Sequence, residues 1–207
     1  MSDVIIFGLP PSSYVRTALM VCESKGVAYR LQPVDFRDPA YRAQHPFGKM
    51  PAMQHGDVTL YEALAIATYV DEVLDGPALQ PADPVGRARM LQWVSATNDY
   101  IYDSVVRHCV TERFVKPMRG LEPDTDLIAA ALPRITEHVS IMDDALDGSD
   151  YLCGAKLSLA DLFLAPVMHY LAATPEGRDL LPSRKNIVAW QSRMADTPKF
   201  DQINSLG

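Results

Sequence analysis

The chain is short of cysteine, of positive charge and of long apolar runs, and each shortage closes off a class of protein. Cys22, Cys109 and Cys153 are the three cysteines in 207 residues. They are odd in number, far apart, and never in C-x-x-C or Cys/His ligand spacing, which argues against disulfides and against a zinc or other metal site. Each sits among apolar neighbours, where a small buried hydrophobe is the ordinary reading, and none is assigned chemistry. Lys and Arg total 19 against 26 Asp and Glu, giving a formal charge of -7. Such a chain has no general attraction for a phosphate backbone or an anionic lipid surface, so neither nucleic acid nor membrane is expected as a partner. No run approaches the roughly 20 apolar residues that span a bilayer, and Met1-Ser2-Asp3 opens on an acid without the basic region of a signal peptide. A cytoplasmic protein is the expectation.

What is present is apolar material, 48% of the residues, enough for one large or two small cores. The first third alternates short strands with helices. Val4 to Phe7 is a brief apolar run stopped by Gly8 and Pro10-Pro11, which reads as a buried strand. Ser12 or Ser13 then caps a helix carrying Val15, Ala18, Leu19 and Cys22 at helical spacing and closed by Gly26. Val27 to Pro33 reads as a second strand and Pro39 to Gln44 as a short helix. Pro51 to Met53 and Val58 to Leu60 read as a hairpin around His55-Gly56-Asp57. A helix from Glu62 to Leu74 follows, with Leu64, Ile66, Ala67, Val70 and Val73 apolar. The order β-α-β-α-β-β-α is that of an α/β sandwich over residues 1–75.

A proline-rich linker over residues 76–85 separates this from an all-helical remainder, 86–207. Helices are expected over 86–116, 125–147, 158–173 and 183–195, the second capped by Asp124 or Thr125 and the third by Ser158, with Asp161 completing a capping box.

Three local signals in the first domain bear on chemistry. Gly8-Leu9-Pro10-Pro11-Ser12-Ser13 takes a strand end into a helix start, where unpaired N–H groups and the positive helix end favour an anion beside a hydroxyl. An N-capping serine is also expected at most helix starts. His45-Pro46-Phe47-Gly48-Lys49-Met50-Pro51-Ala52 places a proline where a strand begins, either as a plain turn proline or as a cis bond. With the cis bond, the Met50 backbone is available to pair with an extended peptide. Tyr61-Glu62-Ala63 opens a helix, so that Glu62 can take an ammonium group and the first-turn N–H groups a carboxylate; a first-turn glutamate is also ordinary dipole chemistry.

In this order and at these separations the three signals resemble the cytosolic glutathione transferase family, nearest its serine-type, phi-like branches and related bacterial enzymes. The resemblance covers essentially the whole chain. It implies a thioredoxin-like glutathione-binding domain followed by an all-α helical bundle that shapes the electrophile site, with glutathione as co-substrate and no metal. It puts the catalytic serine on Ser12, with Ser13 and Tyr14 as rivals. It also gives Pro51 the cis bond, Lys49 and Met50 the glutathione backbone and glycine carboxylate, and Glu62-Ala63 the γ-glutamyl group. Ala63 departs from the family's usual serine, so one hydroxyl contact is lost. Leu9, Pro10, Tyr102, Val106 and Arg107 are candidates for the pocket of a small hydrophobic electrophile. Phe47 falls where some branches insert an aromatic ring into a partner subunit, which implies a homodimer; an ordinary core phenylalanine is the alternative. Two other functions compete with a transferase. A thiol-disulfide reductase of the same fold needs a cysteine at position 12, which is serine here. A non-catalytic glutathione- or ligand-binding protein finds its support in Ala63.

Overall fold

The computed structural model describes residues 3–205; Met1 and Ser2, used above to argue against a signal peptide, lie outside the described residues. The chain divides into two compact units, one running to Gln80 and resumed from Ala195, the other Pro81–Met194. The helical pattern assigned 195–207 to the second domain, but the described part of that segment joins the first. Its short helix, which periodicity over five residues cannot reveal, buries Phe200 and Ile203 and holds Asn204 Nδ2 against Met20 Sδ at 3.9 Å.

In the first unit, strands β1 (Val4–Phe7), β2 (Tyr29–Gln32), β3 (Ala52–His55) and β4 (Val58–Tyr61) form one sheet in the order β2-β1-β3-β4. β1 runs parallel to β2 and antiparallel to β3, and β3 pairs antiparallel with β4. Helices α1 (Ser13–Lys25), α2 (Pro39–Gln44) and α3 (Ala63–Val73) complete the unit, with α1 packed on α3. Phe7, Tyr41 and Ala52 make a small cluster with Ile5, Val34 and Phe36. Two of these helices carry local signals that explain their ends. Ser12 caps α1 and Gly26, at φ 70°, ends it; Asp38 caps α2 ahead of Pro39.

The ends of α1 and α3 are joined by a buried ion pair. Lys25 Nζ lies 3.2 Å from Asp71 Oδ1 and donates to the Asp71 and Gly76 carbonyls at 3.0 and 3.3 Å. Asp71 Oδ1 also accepts from Leu79 N–H at 2.8 Å, which draws the start of the linker onto the unit. Gly76 sits at φ 134°, and a Cβ there would stand 2.2 Å from the Lys25 carbonyl oxygen, so only glycine fits.

The second unit is all helix: α4 (Pro84–Ala96), a π-helical stretch (Thr97–Val115), α5 (Lys116–Met118), α6 (Thr125–Ala145), α7 (Leu159–Ala173), α8 (Pro175–Leu180), a 3-10 turn and α9 (Lys185–Ala195), with α10 (Phe200–Asn204) belonging to the first unit. The single helix expected over 86–116 thus changes winding at Thr97, a change to which 3.6-residue periodicity is blind. Asp124 caps α6, accepting from Leu127 N–H at 2.9 Å. Asp161 is the hub of this unit. Its carboxylate accepts from Ser158 N–H and Oγ at 3.0 and 2.8 Å, from Leu152 N–H at 2.9 Å and from Trp190 Nε1 at 3.0 Å. Burial pushes the carboxyl above its ordinary range, and these donors pull the other way. No helix among the described residues is long and apolar enough to cross a membrane.

Candidate functional site

Strand register brings the three sequence signals to one end of the sheet. Gln32, Phe7, Ala52 and Tyr61 form one row across β2, β1, β3 and β4. Immediately past that row lie Gly8, leading toward Ser12, then Pro51 before Ala52, and Glu62 after Tyr61. Segments about 40 and 50 residues from Ser12 along the chain thus face the same solvent edge because antiparallel pairing aligns the start of β3 with the ends of β1 and β4.

Ser12 is the N-cap of α1, at φ -74° and ψ 123°. Its Oγ accepts from Val15 N–H at 3.4 Å. A hydroxyl carries one proton and two lone pairs, so capping through a lone pair leaves the proton available to a bound anion. The capping and functional readings of Ser12 are therefore compatible. Ser13, by contrast, is 6% exposed, and Tyr14 is half-buried. The turn ahead of Ser12 is tightly held: Ser12 N–H donates to Leu9 O and Gly8 N–H to Gln32 O, each at 3.0 Å. A Cβ on Gly8 would meet Val15 Cγ2 at 2.3 Å, so this glycine lets β1 and α1 approach. Leu9 and Pro10 are half-buried in the same turn.

The Met50–Pro51 peptide bond is cis. The loop before it is ordered by contacts that sequence spacing did not indicate. Tyr41 Oη donates to the Lys49 carbonyl at 2.6 Å, and Leu9 N–H donates to Met50 Sδ at 3.2 Å, tying the loop to the Ser12 turn. The Lys49 side chain is exposed and Met50 half-buried. His45 lies beneath, 1% exposed, its ring centroid 5.0 Å from Tyr61 and 6.4 Å from Phe47. Burial lowers its pKa below the ordinary imidazole value, against the pull of the Glu62 charge. Phe47 is 68% exposed, which rules out the core-phenylalanine alternative.

Glu62 stands at φ 73° and ψ 123°, a conformation costly for any residue but glycine. It precedes α3 without capping it through its side chain, and its exposed carboxylate makes no hydrogen bond or ion pair among the described residues. Ala63, buried, is the first residue of α3. A free carboxylate held beside a free helix N-terminus can receive an ammonium and a carboxylate together, the head group of an α-amino acid.

The remaining candidates lie in the second unit. Tyr102 and Val106 are half-buried on the π-helical stretch, and Arg107 is exposed there, its guanidinium 5.9 Å from the Tyr102 ring centre and 3.9 Å from Asp103 Oδ1. Burial pushes the Cys22 thiol up to about 12 and the Cys109 thiol up to about 11, and it raises Cys153 as well. None of these thiols is ionised near neutral pH, so this chain holds no nucleophilic cysteine of its own. Among the described residues no group of three or more His, Cys, Asp or Glu is arranged to hold a metal ion.

Comparison with known proteins agrees with this geometry. Residues 6–78 match the family model for the glutathione S-transferase N-terminal domain, and residues 125–190 the model for its C-terminal domain. Glutathione S-transferase 4 of Zea mays is 30% identical over 97% of this chain and 91% of its own length. Among solved structures, a theta class glutathione S-transferase from Xanthomonas axonopodis pv. citri with glutathione bound is 30% identical, with a TM-score of 0.88, covering 100% of this chain and 99% of that one. Glutathione transferase F7 from Populus trichocarpa is 27% identical, with a TM-score of 0.87 over 97% of both chains. The chain belongs to the glutathione S-transferase family, enzymes that use glutathione as co-substrate, and its serine-type, phi-like character is consistent with these relatives.

Proposed function

We propose that the chain binds glutathione across the edge formed by Ser12, Lys49, Met50, Pro51, Glu62 and Ala63, ionises its thiol, and directs the thiolate at a small hydrophobic electrophile. The observation that carries this reading is the convergence, past a single row of the sheet, of a helix-capping hydroxyl with a spare proton and an unpaired carboxylate beside a free helix start. A thiol of this kind has an ordinary pKa of about 8.5, and only the thiolate is a strong nucleophile. Ser12 Oγ–H donates to the sulfur while the first turn of α1 favours the negative charge, a stabilisation that needs no reorganisation during the reaction. The Met50 backbone pairs with the extended peptide, Lys49 meets the glycine carboxylate, and Glu62 receives the γ-glutamyl ammonium. Two observations support Ser12 over its rivals: Ser13 is buried, and Ser12 alone caps α1 with an oxygen whose proton is free to donate.

We assign Leu9 and Pro10, in the turn ahead of Ser12, to recognition of the electrophile, and Tyr102, Val106 and Arg107 to its selection. The relatives are named as transferases, which favours turnover over a ligand-carrying role. We further assign the protein to the cytoplasm and to a homodimer built on the exposed Phe47 ring, which lies 6.1 Å from Tyr61; the cytosolic branches it resembles support both. The test is a calorimetric glutathione titration beside a turnover assay with a chlorodinitrobenzene-type substrate, on the wild type and on Ser12→Ala. Binding retained with turnover reduced on the order of 100-fold in the variant is the expected result. Binding without turnover in either protein would establish a carrier, and no binding would remove the site.

A further inference from the structure

Arg16 is the one arginine in the first unit that is almost wholly inside, 2% exposed, and it lies at the start of the helix that presents Ser12. Its position is doubly unfavourable for a cation. A guanidinium buried away from water loses its hydration, and the first turn of a helix is already the positive end of the dipole. A surface arginine would have avoided both costs. Inside, its side chain meets the turn that leads into the helix. Arg16 Nε donates to the Pro10 carbonyl at 2.9 Å, and Arg16 N–H donates to the Ser12 carbonyl at 2.9 Å. The side chain thus holds the turn at Pro10 while the helix's own backbone bond holds Ser12, in a turn whose other anchors are Leu9 N–H on Met50 Sδ and Ser12 N–H on Leu9 O. Arg16 follows Ser12 by one helical turn along α1, its guanidinium reaches back to the Pro10 carbonyl two residues before Ser12, and Arg does not give up its proton.

We infer that Arg16 is a positioning residue for thiol ionisation: its Nε–H holds the Pro10 carbonyl so that the Ser12 hydroxyl faces the sulfur, and its buried charge favours the thiolate. This rests on the reading of Ser12 as the thiolate's partner. The step it assists is a proton transfer from the glutathione thiol to solvent, leaving the thiolate as acceptor of the Ser12 hydrogen bond; no other bond is made or broken at this stage.

The experiment measures the pKa of enzyme-bound glutathione, by thiolate ultraviolet absorbance and by the pH profile of kcat/KM, in the wild type, Arg16→Met, Arg16→Lys and Ser12→Ala. Methionine keeps the apolar stem and removes the charge. It is expected to raise the bound thiol's pKa by about one unit, so that kcat/KM falls about tenfold below that pKa and recovers as pH rises through it. Lysine keeps the charge but has no planar Nε–H for the Pro10 carbonyl. It is expected to leave the pKa nearer the wild-type value while kcat still falls severalfold. A folded Arg16→Met with an unchanged thiol pKa, or one whose loss is the same at every pH, overturns the inference and leaves Arg16 a purely structural residue. If the methionine variant does not fold, the lysine variant decides, since wild-type kcat with lysine in place means the grip on Pro10 has no part in catalysis. Full turnover in Ser12→Ala would instead overturn the underlying assignment of Ser12. Collapse there, with both Arg16 variants behaving as wild type, sinks only the role given to Arg16.

Discussion

Two acidic residues at the starts of helices, Glu62 in the first unit and Asp161 in the second, receive opposite treatment from the fold. Asp161 is buried and its carboxylate accepts four hydrogen bonds, joining the loop at Leu152, the cap at Ser158 and the indole of Trp190 on α9. Glu62 is exposed, held at φ 73°, and caps nothing. One carboxylate is committed to holding helices together; the other is kept in a strained conformation with its charge available. The contrast shows where this molecule places stability and where it gives stability up, and the strain that folding does not need falls on the residue proposed to receive the γ-glutamyl group.

The contrast can be broken most forcefully at Asp161. Asp161→Ala leaves three or more buried donors without a partner and is expected to lower unfolding stability by about 4 kcal/mol, or to prevent folding, as read by urea denaturation. Glutathione affinity of any folded protein should be unchanged. At Glu62 the signs should reverse. Glu62→Gly relieves the positive-φ strain and is expected to leave stability level or to raise it by up to about 1 kcal/mol, while glutathione binding weakens by about 2 kcal/mol, some 30-fold, in calorimetry. A loss of stability without a loss of affinity would show that Glu62 is structural after all.

Ala63 offers a smaller and favourable change. Ala63→Ser returns a hydroxyl to the first residue of α3, beside the proposed γ-glutamyl carboxylate, and is expected to tighten glutathione binding by about 1 kcal/mol, roughly fivefold, with little change in melting temperature. The smallest effect concerns pH and compares one histidine from each unit. Burial lowers the pKa of both His45 and His138 below the ordinary imidazole value. Below about pH 6.5 the unfolded chain then takes up protons that the folded chain does not, so the stability both contribute is present above that pH and is lost as pH falls. His45 meets the rings of Tyr41, Phe47 and Tyr61 and the charges of Glu62 and Lys49; His138 meets Ser104 Oγ at 2.9 Å and the charges of Arg134 and Glu137. Replacing either by asparagine should flatten part of the decline in melting temperature between pH 7 and pH 5.5, and an unchanged slope in both variants would refute the assignment.

Much of the first unit was legible because its signals are local. The strand Val4–Phe7 and the helix Pro39–Gln44 fall on the residues that pattern and turn chemistry indicate. The Ser158–Asp161 box was legible for the same reason, since its partners are three residues apart. The other half of Asp161's role was not. Leu152 and Trp190 lie nine and 29 residues away, and no spacing rule connects them to it. The same holds for Asp143, which caps α9 from α6 by accepting from Asn186 and Ile187 N–H at 3.0 and 2.9 Å. The sequence pattern gives Arg16 no role of its own, because a charged residue one turn into a helix reads as a solvated one and only burial distinguishes it. The winding change at Thr97 was hidden because apolar periodicity samples side chains, whereas the change lies in the backbone hydrogen bonds.

By itself the sequence determined most of the elements, the local caps at Ser12, Asp124 and Ser158, and the chemical character of the site residues, because each of these is set by neighbours within one or two turns of chain. It did not decide which of those residues meet. The order β2-β1-β3-β4 and the row Gln32–Phe7–Ala52–Tyr61 bring Ser12, Pro51 and Glu62 to one edge. Long-range packing likewise buries Asp161 and Arg16 while leaving Glu62 open. Burial and strand register are properties of contacts between distant segments, and the availability of a carboxylate or the field of an arginine depends on them rather than on the residue's name.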